Sequence, residues 1–207
     1  MIYLYGIIPL FFSILALKKK KYLYKALVTA SIILFSLIYM IVYQIDLSFS
    51  VILGALLFSI IGDYFLNNNE KHPMFYVLGI AVYFMAHACY LVYMLMNGVL
   101  NISLLIIFFV CFSLYFIFRL YPSIKEKSLL VAVLLYLGIS CLTFAATFGL
   151  SVTFPSKALM VSAVGLIVFS DIMIAETDFV KNRRTAGLIL PTYYLAHICL
   201  LYSIFFI

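Results

Sequence analysis

The chain has 207 residues, of which 68% are hydrophobic and 10% charged, and it carries a net charge of +6. A mean hydropathy of +1.25 excludes an ordinary soluble domain, and the continuously apolar runs exclude a membrane β-barrel, whose strands alternate in short segments. Nor does the positive charge imply nucleic-acid binding, because the basic residues fall in short breaks between apolar runs.

A bilayer core about 30 Å thick takes roughly 20 apolar residues per helix. On that measure eight spans are predicted, at 2–17, 26–43, 48–66, 75–97, 101–118, 128–150, 157–179 and 187–207. The expected fold class is all-α, a polytopic membrane protein forming one transmembrane domain over 1–207. The first span is not read as a signal peptide, because positive charge follows it instead of preceding it. Lys18, Lys19, Lys20, Lys21 and Lys25 come next, and the second span then leads to Asp46 in a turn. The third span holds Ser59, Gly62 and Asp63 in FSIIGDYFL and ends at a polar loop with Glu70, Lys71 and His72, read as surface. The fourth carries Tyr83, His87 and Tyr90 in YFMAHACYLVY, one stripe at helical spacing.

After the fifth span come Arg119, Lys125, Glu126 and Lys127, read as a loop. Pro155 suits the start of the seventh helix, where its missing N–H costs nothing. That span holds Asp171 in IVFSDIMIA, then Glu176 and Asp178, with Lys181, Arg183 and Arg184 beyond it. Asp178, Glu70 and Glu126 read as solvated, while Glu176 lies between the solvent and a polar interior. The eighth span contains YYLAHICLLY, with Tyr194 and His197. Cys89, Cys111, Cys141 and Cys199 lie within spans, at no metal-binding spacing, and read as packing residues.

With eight spans, every basic residue except Lys157 falls in an odd-numbered loop. The positive-inside rule then puts those loops in the cytosol and both termini outside. The chain is expected in the cell membrane, with the bilayer as its partner.

Four ionisable residues break the pattern: Asp63, His87, Asp171 and His197 all sit inside apolar segments. A charge at the bilayer centre costs about 2.5–3.5 kcal/mol on insertion scales, so such residues mark a polar pathway or a catalytic site. They also recur. Tyr83, Ala86, His87, Cys89 and Leu91 align with Tyr193, Ala196, His197, Cys199 and Leu201, and each His follows an Asp by 24 or 26 residues. The fold is therefore expected to contain two parallel four-helix repeats, with the site where they meet. Helix rise brings all four residues between the cytosolic face and mid-membrane, where they should face one another or a wet cavity. Ser59, one turn before Asp63, Tyr90, beside His87, and Tyr194, near His197, are the candidate hydrogen-bonding partners.

The sequence has no Gly-rich phosphate loop, HExxH or GxSxG. Zinc is conceivable from two His and two Asp, but there is no HxxxH and each His is on a different helix, so no metal or cofactor is expected. What remains is carboxyl acid–base chemistry in an apolar site. It suits hydrolysis of an acid-labile bond in a lipid, and equally a small proton-coupled transporter built from two parallel repeats.

The segments SIIGDYFL, YFMAHACY, VFSDIMIA and YYLAH, in this order and on this eight-span layout, resemble the signatures of the lysoplasmalogenase family, the YhhN-like membrane proteins. The resemblance covers essentially the whole chain. It implies cleavage of the vinyl-ether bond of a lysophospholipid substrate, a lysoplasmalogen, to a fatty aldehyde and glycerophospho-ethanolamine or -choline. It also implies that Asp63 and Asp171 are the catalytic acid and base, in either order, with His87 orienting a carboxylate or relaying protons. Tyr90, Tyr194, His197 and Ser59 would contact substrate. The family's last motif usually reads YYxAQ, so His197 stands where a neutral hydrogen-bonding group is usual, which points to a positioning role.

The basic split makes the topology testable. A single tag near Ser123 should stay shielded in intact cells while a C-terminal tag is labelled from outside; labelling of the first overturns the orientation.

Overall fold

The computed structural model describes residues 5–19, 21–72 and 74–207. Within them the chain forms eight α-helices: α1 (Ile7–Lys19), α2 (Tyr22–Tyr43), α3 (Ser50–Asn67), α4 (Met74–Met96), α5 (Ile102–Tyr115), α6 (Lys127–Thr147), α7 (Phe154–Asp178) and α8 (Ala186–Ile204). The all-α polytopic architecture is as expected, and seven helical segments are long and apolar enough to cross a membrane. The remaining helix, α1, has 13 described residues, or roughly 20 Å at 1.5 Å per residue, short of the full apolar core. The expected start of that span at residue 2, and Lys20, lie outside the described residues.

Local chemistry sets several helix ends. The Asn101 side chain accepts from the Leu104 amide (3.0 Å) to start α5. Thr153 accepts from the Ser156 amide (3.4 Å) to start α7, with Pro155 in the first turn. Arg119 is not in a loop, as the sequence suggested. A π-helical turn, Phe116–Leu120, carries it onward from α5.

The two halves pack in matching ways. α3 lies along α4 as α7 lies along α8, and these are the most extensive pairings. α1 packs on α2 as α5 packs on α6, and α2 on α3 as α6 on α7. Across the halves, α4 meets α6 and α2 meets α8. These are the pairings that two parallel four-helix units would make. α5 buries no residue at all, and its Phe109, Ile106 and Leu114 face outward, as a lipid-facing helix must in an apolar solvent.

Hydroxyls tie the inner helices together. Thr143 on α6 donates to the His87 carbonyl on α4 (3.2 Å), and Ser170 on α7 to the Ile189 carbonyl on α8 (3.1 Å). In an apolar medium such bonds join helices that have little hydrophobic drive to associate. At the end remote from Asp63 the α4–α5 and α6–α7 connections close on each other. Val99 N–H donates to Gly149 O (3.1 Å) and Ser151 N–H to Asn97 O (2.8 Å). A side chain at Gly149 would put its Cβ 1.6 Å from the Val99 carbonyl oxygen. Glycine is therefore required at this contact.

Candidate active site

Asp63 lies on α3, roughly 6 Å of helix rise from its Asn67 end. Its side chain is buried, and both of its oxygens are engaged. The Tyr83 hydroxyl on α4 donates to Oδ1 (2.7 Å), and the Tyr193 hydroxyl on α8 donates to Oδ2 (3.2 Å). The two hydroxyls are 3.5 Å apart. Glycine allows this arrangement: a Cβ on Gly62 would lie 2.8 Å from the Tyr83 ring, so the ring rests on bare backbone beside the carboxylate. His197 stands behind Tyr193. Its Nδ1 donates to the Tyr193 carbonyl (2.8 Å), and the two rings are 4.2 Å apart between centroids. This bond fixes the proton on Nδ1, since a carbonyl only accepts.

Asp171, on α7, lies roughly 10 Å of helix rise before the Asp178 end. Its Oδ2 accepts the Tyr136 hydroxyl from α6 (2.7 Å) and is 3.4 Å from His87 Nε2. His87 is 1% exposed, and its ring meets the edges of Tyr136 and Tyr90 at 5.1 and 6.2 Å. Neither ring nitrogen of His87 makes a well-directed hydrogen bond. The contact with Asp171 is therefore one of proximity.

Two adjoining cavities meet at these groups. A polar one of about 250 Å³ is lined by Asp63, Asp171, Tyr83 and Tyr193, and towards the helix ends by Lys25, Asn67 and Asp178. An apolar slot of about 70 Å³ runs between α4, α6 and α7, past Ile80, Val133, Leu137 and Val168. Tyr83, Asp171, Leu66 and Ile174 line both. Asp171 thus stands where a polar chamber joins an apolar one, and Asp63 lines the polar chamber alone. His87 reaches Asp171 from behind the wall and lines neither.

The sequence-derived residues divide accordingly. Asp63 and Asp171 face one cavity, with His87 against Asp171. Tyr90 and Tyr194 are buried and neither lines the two cavities; the Tyr194 hydroxyl has no hydrogen-bond partner, and the Tyr90 hydroxyl meets only the Ser59 side chain. Ser59 donates back to its own helix at Ala55 O (3.0 Å). The tyrosines that hold the carboxylates are Tyr83, Tyr193 and Tyr136. Tyr193 was legible in principle, because the internal repeat aligns it with Tyr83. Nothing in α6 distinguishes Tyr136 before the helices are packed.

Glu176 belongs to a different cluster. Arg119 holds it through two bonds (Nε to Oε1 3.2 Å, Nη2 to Oε2 2.8 Å), and Tyr115 adds a third (3.3 Å). Asp178 is not simply solvated: it accepts the Tyr76 hydroxyl (2.9 Å). Among the described residues no three His, Cys, Asp or Glu side chains gather closely enough to hold a metal ion.

A sequence model of the YhhN family matches residues 20–204, nearly the whole chain. No curated protein and no solved structure matches it.

The Gly62–Tyr83 contact yields a stability test. Gly62→Ala should push the Tyr83 ring away and destabilise the protein by about 1–3 kcal/mol, the usual cost of overpacking. Adding Tyr83→Ala removes the obstruction, so the double variant should be more stable than the two single effects summed. Thermal unfolding in detergent reads this, and strict additivity would mean the ring does not rest on Gly62.

Proposed function

The chain belongs to the YhhN family, the family of lysoplasmalogenases, and we propose that it hydrolyses the vinyl-ether bond of a lysoplasmalogen inside the membrane. The observation that carries this reading is the pair of carboxyls, Asp63 and Asp171, facing one polar cavity, with Asp171 also bordering the apolar slot that adjoins it. A lysoplasmalogen has that same division: a polar glycerophospho end, an acid-labile vinyl ether, and a long hydrocarbon chain.

The chemistry begins with a proton on the β-carbon of the vinyl ether. This breaks the C=C π bond and leaves an oxocarbenium ion at the carbon that bears oxygen. Water adds to that carbon and gives up a proton, forming a hemiacetal. The hemiacetal collapses as the glycerol oxygen leaves with a proton, releasing a fatty aldehyde. The slow first step needs an acid beside the alkene and a negative charge near the cation.

The hydrogen bonds favour one division of labour. Asp63 has a tyrosine hydroxyl on each oxygen, an arrangement that can hold an ionised carboxylate with two donors. In this reading it steadies the cation and takes the proton from water. Asp171 has both of its contacts on Oδ2, and it borders the apolar slot on which the β-carbon would lie. In this reading it is the acid, and His87 beside it restores its proton. Tyr83, Tyr193 and Tyr136 hold the two carboxyls apart and oriented. His197 acts through Tyr193 as a positioning residue. The positive-inside rule assigns both termini to the outside and the open end of the polar cavity to the cytosol.

Asp63→Asn and Asp171→Asn should each lower turnover by at least about 10², the low end for lost acid–base catalysis. His197→Gln should cost far less, since the amide can also donate to the Tyr193 carbonyl. Aldehyde release by purified protein measures all three. A His197→Gln variant as inactive as Asp63→Asn would overturn its positioning role.

Proton transfer to carbon leaves an isotopic mark. In D₂O, with the aldehyde reduced as it forms, one deuterium should appear on the carbon next to the former carbonyl, and the rate should fall. Product without that deuterium, as read by mass spectrometry, would rule out carbon protonation.

A further inference from the structure

The mouth of the polar cavity carries two opposite charges that have no ion-pair partner. Lys25 stands in the first turn of α2, half-buried, with Nζ donating to the Asn67 side-chain oxygen at the end of α3 (3.2 Å). Asp178 is the last residue of α7, and its Oδ2 accepts the Tyr76 hydroxyl (2.9 Å). Both line the same cavity, about 250 Å³ in volume, as Asp63 and Asp171. Among the described residues the close pairs of a basic and an acidic side chain are His87 with Asp171 and Arg119 with Glu176, so neither Lys25 nor Asp178 is paired in this way. Lys25 is also the only cation lining the cavity among the described residues.

Depth gives these charges a purpose. Lys25, Asn67 and Asp178 lie at helix ends, where membrane-spanning helices meet the lipid head groups. Asp63 and Asp171 lie roughly 6 and 10 Å further in by helix rise. A lysoplasmalogen with its head group at the mouth has only a glycerol unit to span before its vinyl ether reaches that depth.

We propose that Lys25 and Asp178 form the head-group subsite, so that the cavity selects zwitterionic phosphodiester lipids. Lys25, oriented by Asn67, binds the phosphodiester oxygens. Asp178, held by Tyr76 through one oxygen, receives the terminal ammonium on the other. An anionic head group lacking the amine meets an unpaired Asp178, and a bare glycerol head engages neither charge. This subsite rests on the lipid-hydrolase reading for its ligand but not on any chemical step, so binding tests it separately from catalysis.

The probes are saturated ether analogues, which cannot be cleaved by this chemistry, with one chain length and three heads: phosphoethanolamine, phosphoglycerol and bare glycerol. Their affinities for the purified full chain in detergent are read by titration calorimetry. Wild type should prefer phosphoethanolamine to bare glycerol by at least about tenfold, the scale of one hydrogen bond to a charged group. Lys25→Gln should remove the advantage of both phosphodiesters, and Lys25→Arg should keep it. Asp178→Asn should weaken phosphoethanolamine about tenfold while phosphoglycerol holds or tightens.

Bare-glycerol binding and thermal unfolding are the references for folding, and Lys25→Arg keeps the test decisive if Lys25→Gln unfolds. Equal affinity of wild type for all three heads, or equal loss of all three in a folded Lys25→Gln variant, overturns the subsite. Loss of phosphoglycerol in parallel with phosphoethanolamine on Asp178→Asn overturns the role of Asp178. Aldehyde release from the matching vinyl-ether lipids separates the two readings. Aldehyde with no head-group preference defeats only the subsite, whereas a head-group preference with no aldehyde from wild type defeats only the hydrolase.

Discussion

A carboxylate cannot stand alone inside a bilayer. Taking it out of water is so costly that each one must find donors, a counter-charge or a wet cavity. Asp63 is met by two tyrosine hydroxyls, and Asp171 by a tyrosine and a histidine. Glu176, near the end of α7, is met by an arginine fork. Much of the interior follows from satisfying these groups. α3, α4 and α8 converge because Tyr83 and Tyr193 both reach Asp63, and α6 is drawn to α7 by Tyr136. A bare Gly62 and the Thr143 hydroxyl let the helices close around them.

The packing of the two halves corresponds helix for helix, yet the site does not obey that symmetry. Under a strict exchange of halves Tyr83 and Tyr193 would serve different aspartates. Instead both turn to Asp63, and Asp171 is served by Tyr136 and His87. A symmetric pair of carboxyls would offer a reaction two identical groups. The broken symmetry gives two distinct environments, one with hydrogen bonds on both oxygens and one with an oxygen left open. General acid–base chemistry requires such a difference, because one group must give a proton while the other stays charged. His197 and His87 diverge in the same way: aligned in sequence, one braces a tyrosine through a backbone carbonyl and the other faces a carboxylate.

The cavities would give the proposed reaction a direction. The opposite end of the bundle is closed by backbone contacts at Gly149, whereas the end near Asp63 opens between polar helix termini. A lipid entering there would keep its head group in the polar chamber and lay its chain in the slot between α4, α6 and α7. Its reactive bond would then lie beside Tyr83 and Asp171, which border both chambers. The outward-facing Phe109, Ile106 and Leu114 of α5 line neither chamber.

Much was legible in the sequence because hydropathy is a local property. The eight helices, the all-α class and the intrusion of Asp63, His87, Asp171 and His197 into apolar segments can be read without knowing any contact. The family resemblance lay in short local motifs as well. The tyrosines are the instructive contrast. Tyr90 and Tyr194 share a helix face or a near neighbour with a histidine, yet their hydroxyls bond to neither carboxyl, while Tyr136 and Tyr193 hold the carboxylates. A tyrosine reaches a group on another helix only through the rotation and separation of both helices, and the sequence of one helix contains neither. The sequence by itself determined that charges would be buried in a membrane and that they would have to be satisfied. Only the tertiary structure decided which hydroxyl satisfies which carboxyl, because that depends on distances across helices that lie far apart in the chain.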